Sequence, residues 1–350
     1  MYSLYDRILG CMVTAGMGDA VGAPTEAMSY QEILAKYGRI EGFVDGSDNL
    51  IALGNKIGEI TDDTSQMYEM ILAVIRSRGN LSVHDAGNAL LEWSRNWPRY
   101  YPRNAGPTAR NVIAGLREGK DPSALGRAGG RYQQGTSNGA AMRIAGAGLC
   151  NAGNLEGAVR TAIAMTECSH ATQIAYSAAC AVACAIAEAV TENASIHSIL
   201  KAAIFGARRG EEIGLKTARI AAGARFLPML MKAIKIGYES ENQCQAEQSL
   251  NDAMGIDSAA IQPAVAISIG LFVAADGDSI NTILGGANIG GDTDTIACIA
   301  GMVAGAYNGY AALPREWTEV FLEANPGLNF TWAAEQLTII STERKERLYT

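Results

Sequence analysis

The chain has 350 residues, of which 48% are hydrophobic and 18% are charged, and its formal net charge is -8. This composition is typical of a globular protein with a substantial buried core, and it excludes a disordered chain. Because the sequence has no basic stripe with interleaved aromatic residues, binding to a nucleic-acid polymer is disfavoured. The sequence has neither a linker nor an internal repeat, so we predict that residues 1–350 form a single domain.

Hydrophobic residues recur with the helical period along nearly the whole chain, and the segments begin with Ser, Thr, Asp or Asn. Alternating β-branched runs bounded by turns are not found, so the sequence predicts an all-α fold. The predicted helices lie at 4–17, 64–78, 82–95, 107–117, 140–150, 154–165, 172–191, 195–212, 262–275, 278–288, 295–308 and 331–342. The predicted loops are 38–60, 118–139 and 285–293, and the polar segment 237–251 is predicted to be an exposed excursion.

The cysteines and the apolar runs predict the cellular compartment of the protein and whether it enters a membrane. The seven cysteines are odd in number and form no CxxC motif, which indicates free thiols in a reducing compartment, the cytoplasm. The N-terminus is not predicted to be a secretory signal, because Asp6 neighbours Arg7 and Asp19 lies where small residues should precede cleavage. The uncharged run 171–187 is rich in Ala and slightly short for a membrane span, so it predicts a buried helix.

Two acidic pairs stand out, each between a glycine-containing loop and a predicted helix. Asp62 and Asp63 form the first pair, and Asp292 and Asp294 form the second. A single Asp at a helix start is usually an N-cap, which binds an unpaired amide and favours the helix dipole. Capping accounts for one acid at each helix, but it does not account for two acids with flanking threonines at both.

A metal site explains these pairs if they meet in the folded chain. Four clustered carboxylates without a counter-charge would be unfavourable, and two divalent cations would cancel their charge. Carboxylate and hydroxyl oxygens are hard ligands that suit Mg²⁺ or Mn²⁺ better than zinc. The chain has only three histidines, which disfavours a histidine-rich zinc site. The sequence therefore predicts two divalent cations, Mg²⁺ or Mn²⁺, as cofactors.

Further segments place small and polar residues beside predicted helices. The stretch from Gly16 to Glu26 ends the first helix in a glycine-spaced turn that is followed by an acid. The loop from Gly135 to Arg143 contains small residues that leave backbone amides free to bind a phosphate. His170 precedes an apolar helix. Each feature alone fits a turn, a loop or a helix cap, and only the set indicates a ligand-binding cleft.

The ordered set of motifs resembles the ADP-ribosylglycohydrolase family. The motifs are Gly-Asp-Ala-Val-Gly at 18–22, Thr-Asp-Asp-Thr at 61–64, Asn-Gly-Ala-Ala-Met-Arg at 138–143 and Gly-Gly-Asp-Thr-Asp-Thr at 290–295. The resemblance covers most of the chain. It implies a compact single-domain helical fold with a dinuclear Mg²⁺ or Mn²⁺ site in a central cleft. It also implies cleavage of the N- or O-glycosidic bond of an ADP-ribosyl group on a protein or small molecule.

The resemblance implies a role for individual residues of this sequence. The implied metal ligands are Thr61, Asp62, Asp63, Asp292, Asp294 and Thr295. The implied catalytic acids and bases are Glu26, Asp62 and Asp292. The implied substrate-binding residues are Ser137, Asn138 and Gly139 for the diphosphate and His170 beside the nucleotide.

The substrate and the activity have alternatives. Ser137 stands where many family members have Gly, and His170 is followed by Ala-Thr where Pro-Asp is frequent. One alternative is therefore a hydrolase of a smaller riboside or a nucleotide, and another is a non-catalytic, crystallin-like or ADP-ribose-binding member. All four aspartates of the two pairs and both flanking threonines are present, which favours catalysis. The sequence does not indicate the oligomeric state.

Overall fold

The computed structural model describes residues 3–129, 135–255 and 259–347. The α-helices of these ranges are α1 Leu4–Gly22, α2 Tyr30–Tyr37, α3 Asp62–Arg76, α4 Val83–Asn96, α5 Pro107–Arg117, α6 Pro122–Arg127, α7 Ala145–Leu149, α8 Leu155–His170, α9 Gln173–Ala189, α10 Ile196–Thr217, α11 Phe226–Glu239, α12 Gln243–Met254, α13 Ile261–Ala274, α14 Ser279–Asn288, α15 Thr293–Asn308, α16 Arg315–Ala324 and α17 Phe330–Glu346. Short 3-10 turns lie at Ala23–Thr25, Asn138–Ala140 and Tyr310–Ala312. The described ranges contain no strand, only two isolated bridges, and the prediction of an all-α fold is confirmed.

The centre of the fold is built from helices with small side chains. Helices α9 and α15 are buried along nearly their whole lengths, α1 lies against α15, and α10 lies against α9. Glycines permit the contact between α1 and α15. A Cβ atom on Gly18 would lie 2.3 Å from the carbonyl oxygen of Ala297, and one on Gly22 would lie 2.6 Å from the Cα atom of Asp294. The end of α1 therefore lies directly against the start of α15, where the second acidic pair begins.

We expect Gly18→Ala to lower the free energy of unfolding by about 2 kcal/mol, although alanine is the better helix former. The added methyl group would meet a backbone carbonyl that can move only if a whole helix shifts. Urea denaturation measures the effect. Gly42→Ala is the matched control, because its Cβ atom would meet nothing closer than Trp317 at 4.0 Å. Equal stability of the two variants would contradict this account of the helix contact.

The prediction for the segment 237–251 is only partly right, because many of its side chains are exposed but most of it is helical. It contains the end of α11 and most of α12, and the side chain of Leu250 lies in the hydrophobic core. The buried Glu247 accepts two hydrogen bonds of 2.8 Å from the guanidinium of Arg39. A distant ion pair therefore anchors a helix whose own sequence is mostly polar.

Other boundaries also differ from the predicted ones. The segment 38–60 is irregular as predicted, but 118–139 contains α6, and its residues 130–134 lie outside the described ranges. The last turn of α14 occupies the start of the predicted loop 285–293. The predicted helix 140–150 is shortened to α7, because the residues before it make side-chain contacts in the cleft. Helices α2, α11 and α16 were not predicted.

The cysteines were expected to be free thiols, and the run 171–187 was expected to form a buried helix. All seven cysteines are free thiols, and all except Cys244 are buried. None of the described helices combines the length and the apolar character that a membrane crossing requires. The uncharged run 171–187 forms most of α9 in the core.

Candidate metal centre and substrate cleft

An open cleft of about 1060 Å³ passes over the N-termini of α3 and α15. Five segments line most of it: the turn after α1, the start of α3, the loop before α7, the residues before α13 and the start of α15. Five carboxylates face this cleft. They belong to Glu26, Asp62, Asp63, Asp292 and Asp294. The structure thus places both acidic pairs and the predicted phosphate loop around one space.

The first acidic pair lies in the first turn of α3, where neither acid is the N-cap. Thr61 is the N-cap, and its hydroxyl oxygen accepts a hydrogen bond of 3.4 Å from the amide of Asp63. The carboxylates of Asp62 and Asp63 are buried beside the cleft. Helix capping therefore does not account for these two carboxylates.

Asp19, near the end of α1, holds the start of α3 in place through hydrogen bonds. Its buried carboxylate accepts hydrogen bonds of 3.0 Å from the amides of Thr61 and Thr64, and one of 2.8 Å from the Thr61 hydroxyl. The sequence motif around Gly18 includes Asp19, but sequence reasoning gave this residue no role. The contact spans 42 positions of the chain, so only the fold reveals it.

The second acidic pair follows a sharp turn at Gly290 and Gly291. Their φ angles of 86° and 74° lie in the left-handed region that favours glycine. Asp292 occupies the N-cap position of α15, yet among the described residues its side chain makes no capping hydrogen bond. The backbone of Gly291 exchanges hydrogen bonds of 2.8 Å with Ala27 and Met28, and this pairing brings the turn after α1 beside the acids.

The fold brings the two acidic pairs together. The hydroxyl oxygen of Thr61 lies 3.4 Å from Oδ2 of Asp294, which joins the start of α3 to the start of α15. Carboxylate oxygens of Glu26, Asp292 and Asp294 lie within 4.8 Å of one another, an arrangement that could hold a cation. Glu26 was predicted to assist proton transfer or to orient water, and its carboxylate also belongs to the group that could hold a cation.

Burial and mutual repulsion act on these carboxyl groups. Burial raises the pKa of Asp62 to about 8. Burial, followed by the charge of Asp62, raises the pKa of Asp63 well above its usual range. Burial and the neighbouring Glu26 do the same to the pKa of Asp294. The charged forms are unfavourable without a cation, because desolvation and like charges both oppose ionisation.

The donor set fits divalent cations. Oε2 of Glu26 and Oδ1 of Asp63 are buried and have no hydrogen-bond partner among the described residues. Buried oxygens without a partner are rare and call for an explanation such as a bound ion. Carboxylate and threonine oxygens are the hard ligands that Mg²⁺ and Mn²⁺ prefer. Besides burial, the charge of Asp292 raises the pKa of both Asp62 and Asp63, so the two acidic pairs lie near enough to share bound cations.

The predicted phosphate loop is held against the residues before α13. Ser137 pairs with Ala260 in an isolated bridge, and the backbone amide of Asn138 donates a hydrogen bond of 2.9 Å to Ala259. The expectation that the Asn138 amide is free for a phosphate is therefore wrong, and the amides of Ser137 and Gly139 remain as candidates. The Asn138 side chain donates to Oδ2 of Asp292 at 2.7 Å and so links the loop to the acidic cluster.

Gly139 borders open space in the cleft. A Cβ atom there would lie 3.6 Å from Cε1 of His170 and 3.9 Å from the guanidinium of Arg143, which are ordinary contact distances. The fold itself therefore does not require a glycine at this position. Close approach of a ligand gives a reason for it.

A buried hydrogen-bond network joins the acidic cluster to this loop. Gln66 donates to Oδ2 of Asp62 at 2.8 Å, and Arg143 donates to Oε1 of Gln66 at 2.8 Å. The second terminal nitrogen of Arg143 donates to the Ser169 hydroxyl at 2.5 Å. Sequence reasoning gave Gln66, Arg143 and Ser169 no role. The spacing of Gln66 four positions after Asp62, on the same helix face, was the available signal.

The network ends at His170, the last residue of α8. Its Nδ1 lies 2.7 Å from the Ser169 hydroxyl, and its Nε2 lies 2.7 Å from the Ser137 hydroxyl. Burial and the nearby Arg143 guanidinium lower the pKa of His170 well below its usual value, which favours the neutral imidazole. The predicted substrate-binding residues Ser137, Asn138, Gly139 and His170 thus lie together on one side of the cleft.

Comparisons with known proteins find similar chains. The ADP-ribosyl-[dinitrogen reductase] glycohydrolase of Rhodospirillum rubrum is 36% identical over 158 residues, which cover 43% of this chain and 47% of that protein. The human ADP-ribosylhydrolase ARH3 is 24% identical over 330 residues, covering 89% of this chain and 88% of that one. A solved structure described as an ADP-ribosylglycohydrolase-related protein complex has a TM-score of 0.65 at 21% identity and covers 97% of this chain and 100% of its own.

The family assignment rests on nearly the whole length of the chain. The sequence profile of the ADP-ribosylglycohydrolase family matches residues 1–346, which include every motif that lines the cleft. The likeness to the solved structure independently supports the same helical fold. The chain therefore belongs to the ADP-ribosylglycohydrolase family.

Proposed function

We propose that the protein is a divalent-cation-dependent hydrolase that cleaves the N- or O-glycosidic bond of an ADP-ribosyl group on a protein or small molecule. The observation that carries this proposal is the convergence of five carboxylates on one cleft in a member of this family. Relatives whose names denote ADP-ribosyl hydrolases support the reaction class. The free cysteines support a reducing compartment such as the cytoplasm.

The two acidic pairs would hold the cations, Mg²⁺ or Mn²⁺. The proposed ligands are Thr61, Asp62, Asp63, Asp292, Asp294 and Thr295. When bound, such cations neutralise the carboxylates and act as Lewis acids and templates for oxygen groups. The unpartnered oxygen of Asp63 supports this assignment. Because the carboxylates serve as ligands, the site differs from the two-carboxylate arrangement of most glycosidases.

Three carboxylates are candidates for proton transfer, namely Glu26, Asp62 and Asp292. Asp62 already accepts a hydrogen bond from Gln66, and Asp292 accepts one from Asn138. Oε2 of Glu26 has no partner among the described residues, which supports Glu26 as the general base. In this role it takes a proton from the water that adds to the anomeric carbon as the leaving group departs.

The size of the cleft favours a nucleotide-sized substrate over a smaller riboside. Its volume of about 1060 Å³ lies just above the range of roughly 300–1,000 Å³ that ligand pockets span. Ser137, Gly139 and His170 would contact the ADP-ribosyl moiety on the side of the loop before α7. The acidic residues would face the ribose carbon at which the bond is cleaved.

A panel of compounds tests the proposed reaction. The protein, Mg²⁺ and each of several ADP-ribosylated proteins, ADP-ribosylated small molecules, simple ribosides and nucleotides are incubated together and read by mass spectrometry. We expect release of ADP-ribose from at least one ADP-ribosylated compound. Cleavage of ribosides alone would support the first alternative. Binding of ADP-ribose without turnover of any compound would support the non-catalytic alternative.

We expect Gly139→Val to weaken ADP-ribose binding about tenfold, which corresponds to about 1.4 kcal/mol. The two extra methyl groups would crowd the space beside His170 that a ligand is proposed to occupy. Isothermal titration calorimetry in the presence of Mg²⁺ measures the change. Gly139→Ala is the matched control for folding, because its Cβ atom meets only ordinary contacts. Undiminished binding by a folded Gly139→Val protein would remove this loop from the proposed site.

A further inference from the structure

We infer that Arg143 is a positioning residue that acts through Ser169 and His170 to turn the hydroxyl hydrogen of Ser137 into the cleft. Ser137 thereby becomes a hydrogen-bond donor to an oxygen of the substrate, such as a phosphate oxygen. We call these four residues the hydroxyl relay. The inference rests on the proposed function only for the identity of the ligand, since the hydrogen-bond directions follow from the chemistry of the side chains.

The direction of the relay is set at Arg143. A guanidinium group has donors and no acceptor, so its contact with the Ser169 hydroxyl has one polarity. The distance from the terminal nitrogen of Arg143 to Oγ of Ser169 is 2.5 Å, and both side chains are buried. Oγ of Ser169 therefore accepts from Arg143, and its own hydrogen finds a partner only if it is donated to a neighbouring acceptor.

The hydrogen of Ser169 goes to His170. Within the described part of the chain, the other side-chain neighbour of Oγ is the thiol of Cys168 at 3.9 Å, which is placed to donate to Oγ. Nδ1 of His170 lies 2.7 Å away and can accept. A neutral imidazole that accepts at Nδ1 carries its hydrogen on Nε2. The low pKa of His170 supports the neutral form, because burial opposes the charged ring.

The hydrogen on Nε2 of His170 then fixes Ser137. The distance from Nε2 to Oγ of Ser137 is 2.7 Å, and this oxygen must accept. Among the described residues His170 is the side-chain partner of this hydroxyl, so the hydroxyl hydrogen of Ser137 is left for a ligand. Ser137 is half-buried and lines the cleft, where a substrate oxygen can receive that hydrogen.

The second contact of the Arg143 guanidinium explains why the relay uses arginine. Its first terminal nitrogen donates to Gln66, which in turn donates to Asp62 in the acidic cluster. One planar group thus contacts both the acidic side and the loop side of the cleft. Lysine offers a single charged nitrogen and cannot reproduce this two-pronged geometry. Without Arg143, the Ser169 hydroxyl could accept from Nδ1 of His170, and the relay would reverse.

The tautomer of His170 is the direct test. The chain has only three histidines, so nitrogen NMR of the protein with ¹⁵N-labelled histidine is simple to assign, with His170→Gln identifying the signal. We expect the wild-type protein without substrate to carry the hydrogen on Nε2 of His170. We expect Arg143→Met to lose this preference. A wild-type signal that shows the hydrogen on Nδ1 would overturn the inference, whether or not the variant folds.

Binding of ADP-ribose gives an independent test that uses variants of the two serines and leaves Arg143 intact. Ser137→Ala and Ser169→Ala should each weaken binding about tenfold, and the double variant should be no weaker, because both remove one donor. Independent, additive losses would contradict the relay. If the wild type does not bind ADP-ribose, the proposed substrate class fails, and the NMR result alone decides the relay.

Discussion

Asp292→Asn should abolish turnover while the protein stays folded. Asparagine keeps the size of the side chain and caps helices about as well as aspartate. The change would therefore be silent if Asp292 only capped α15. The structure already argues against capping, because the Asp292 side chain makes no capping bond among the described residues and instead faces Glu26 and Asp294. Loss of one negative charge from a proposed ligand should lower metal affinity sharply.

The expected size of this loss follows from known metal sites. Changing a group that only supports a ligand costs about 10–100-fold in affinity or activity, so changing the ligand itself should cost more than about 100-fold. Calorimetric titration with Mn²⁺ and assay of turnover measure the two effects, with circular dichroism as the test of folding.

A matched aspartate serves as the control for capping. Asp278 is the N-cap of α14, and its exposed carboxylate accepts a hydrogen bond of 2.8 Å from the amide of Asn281. Asp278→Asn should leave metal binding, turnover and folding unchanged. Equal Mn²⁺ binding by the wild type and Asp292→Asn would refute the role of Asp292 in a metal site.

The starts of α3 and α15 could be predicted from the sequence because the signals are local. A glycine-containing loop, a threonine and two acids mark the start of each apolar helix, and these features indicate both a helix start and a chemistry. Helix α12 lacks such local signals. The ion pair between Glu247 and Arg39, which are 208 positions apart in the chain, is one of the contacts that join it to the rest of the fold. A pattern read from a short stretch of sequence cannot reveal a contact between such distant positions.

In the candidate site too, local sequence signals could be predicted and contacts between distant positions could not. The types and spacing of the acids indicated a metal, because few other structures need four carboxylates with flanking threonines. The groups that orient them were not predicted, since each contact joins distant positions. Arg143 meets Gln66 across 77 positions, and the Asn138 side chain meets Asp292 across 154. The backbone amide of Asn138 was misjudged for the same reason, because its partner Ala259 belongs to another segment.

Removal of divalent cations should destabilise the protein more at about pH 8 than at about pH 5, because protons and cations compete for the same oxygens. The pKa of Asp62 is raised to about 8 in the folded chain, and that of Asp63 is raised well above its usual range. A carboxyl group with a raised folded pKa binds its proton more tightly in the folded state. Its contribution to stability is present at low pH and is lost as the pH rises toward the folded pKa.

Cations should restore the stability that the metal-free protein loses at high pH. They bind the ionised carboxylates and offset the charge repulsion that remains once the protons have left. At a cation concentration of 100 times Kd, the gain is about 2.7 kcal/mol for each site. We expect Mn²⁺ to raise the Tm of chelator-treated protein by several degrees at about pH 8 and by much less at about pH 5. In the Asp292→Asn protein, Mn²⁺ should raise the Tm by less at both pH values. An equal shift at the two pH values in the wild type would mean that cations stabilise the fold elsewhere, because binding at these buried carboxylates must release protons at the lower pH.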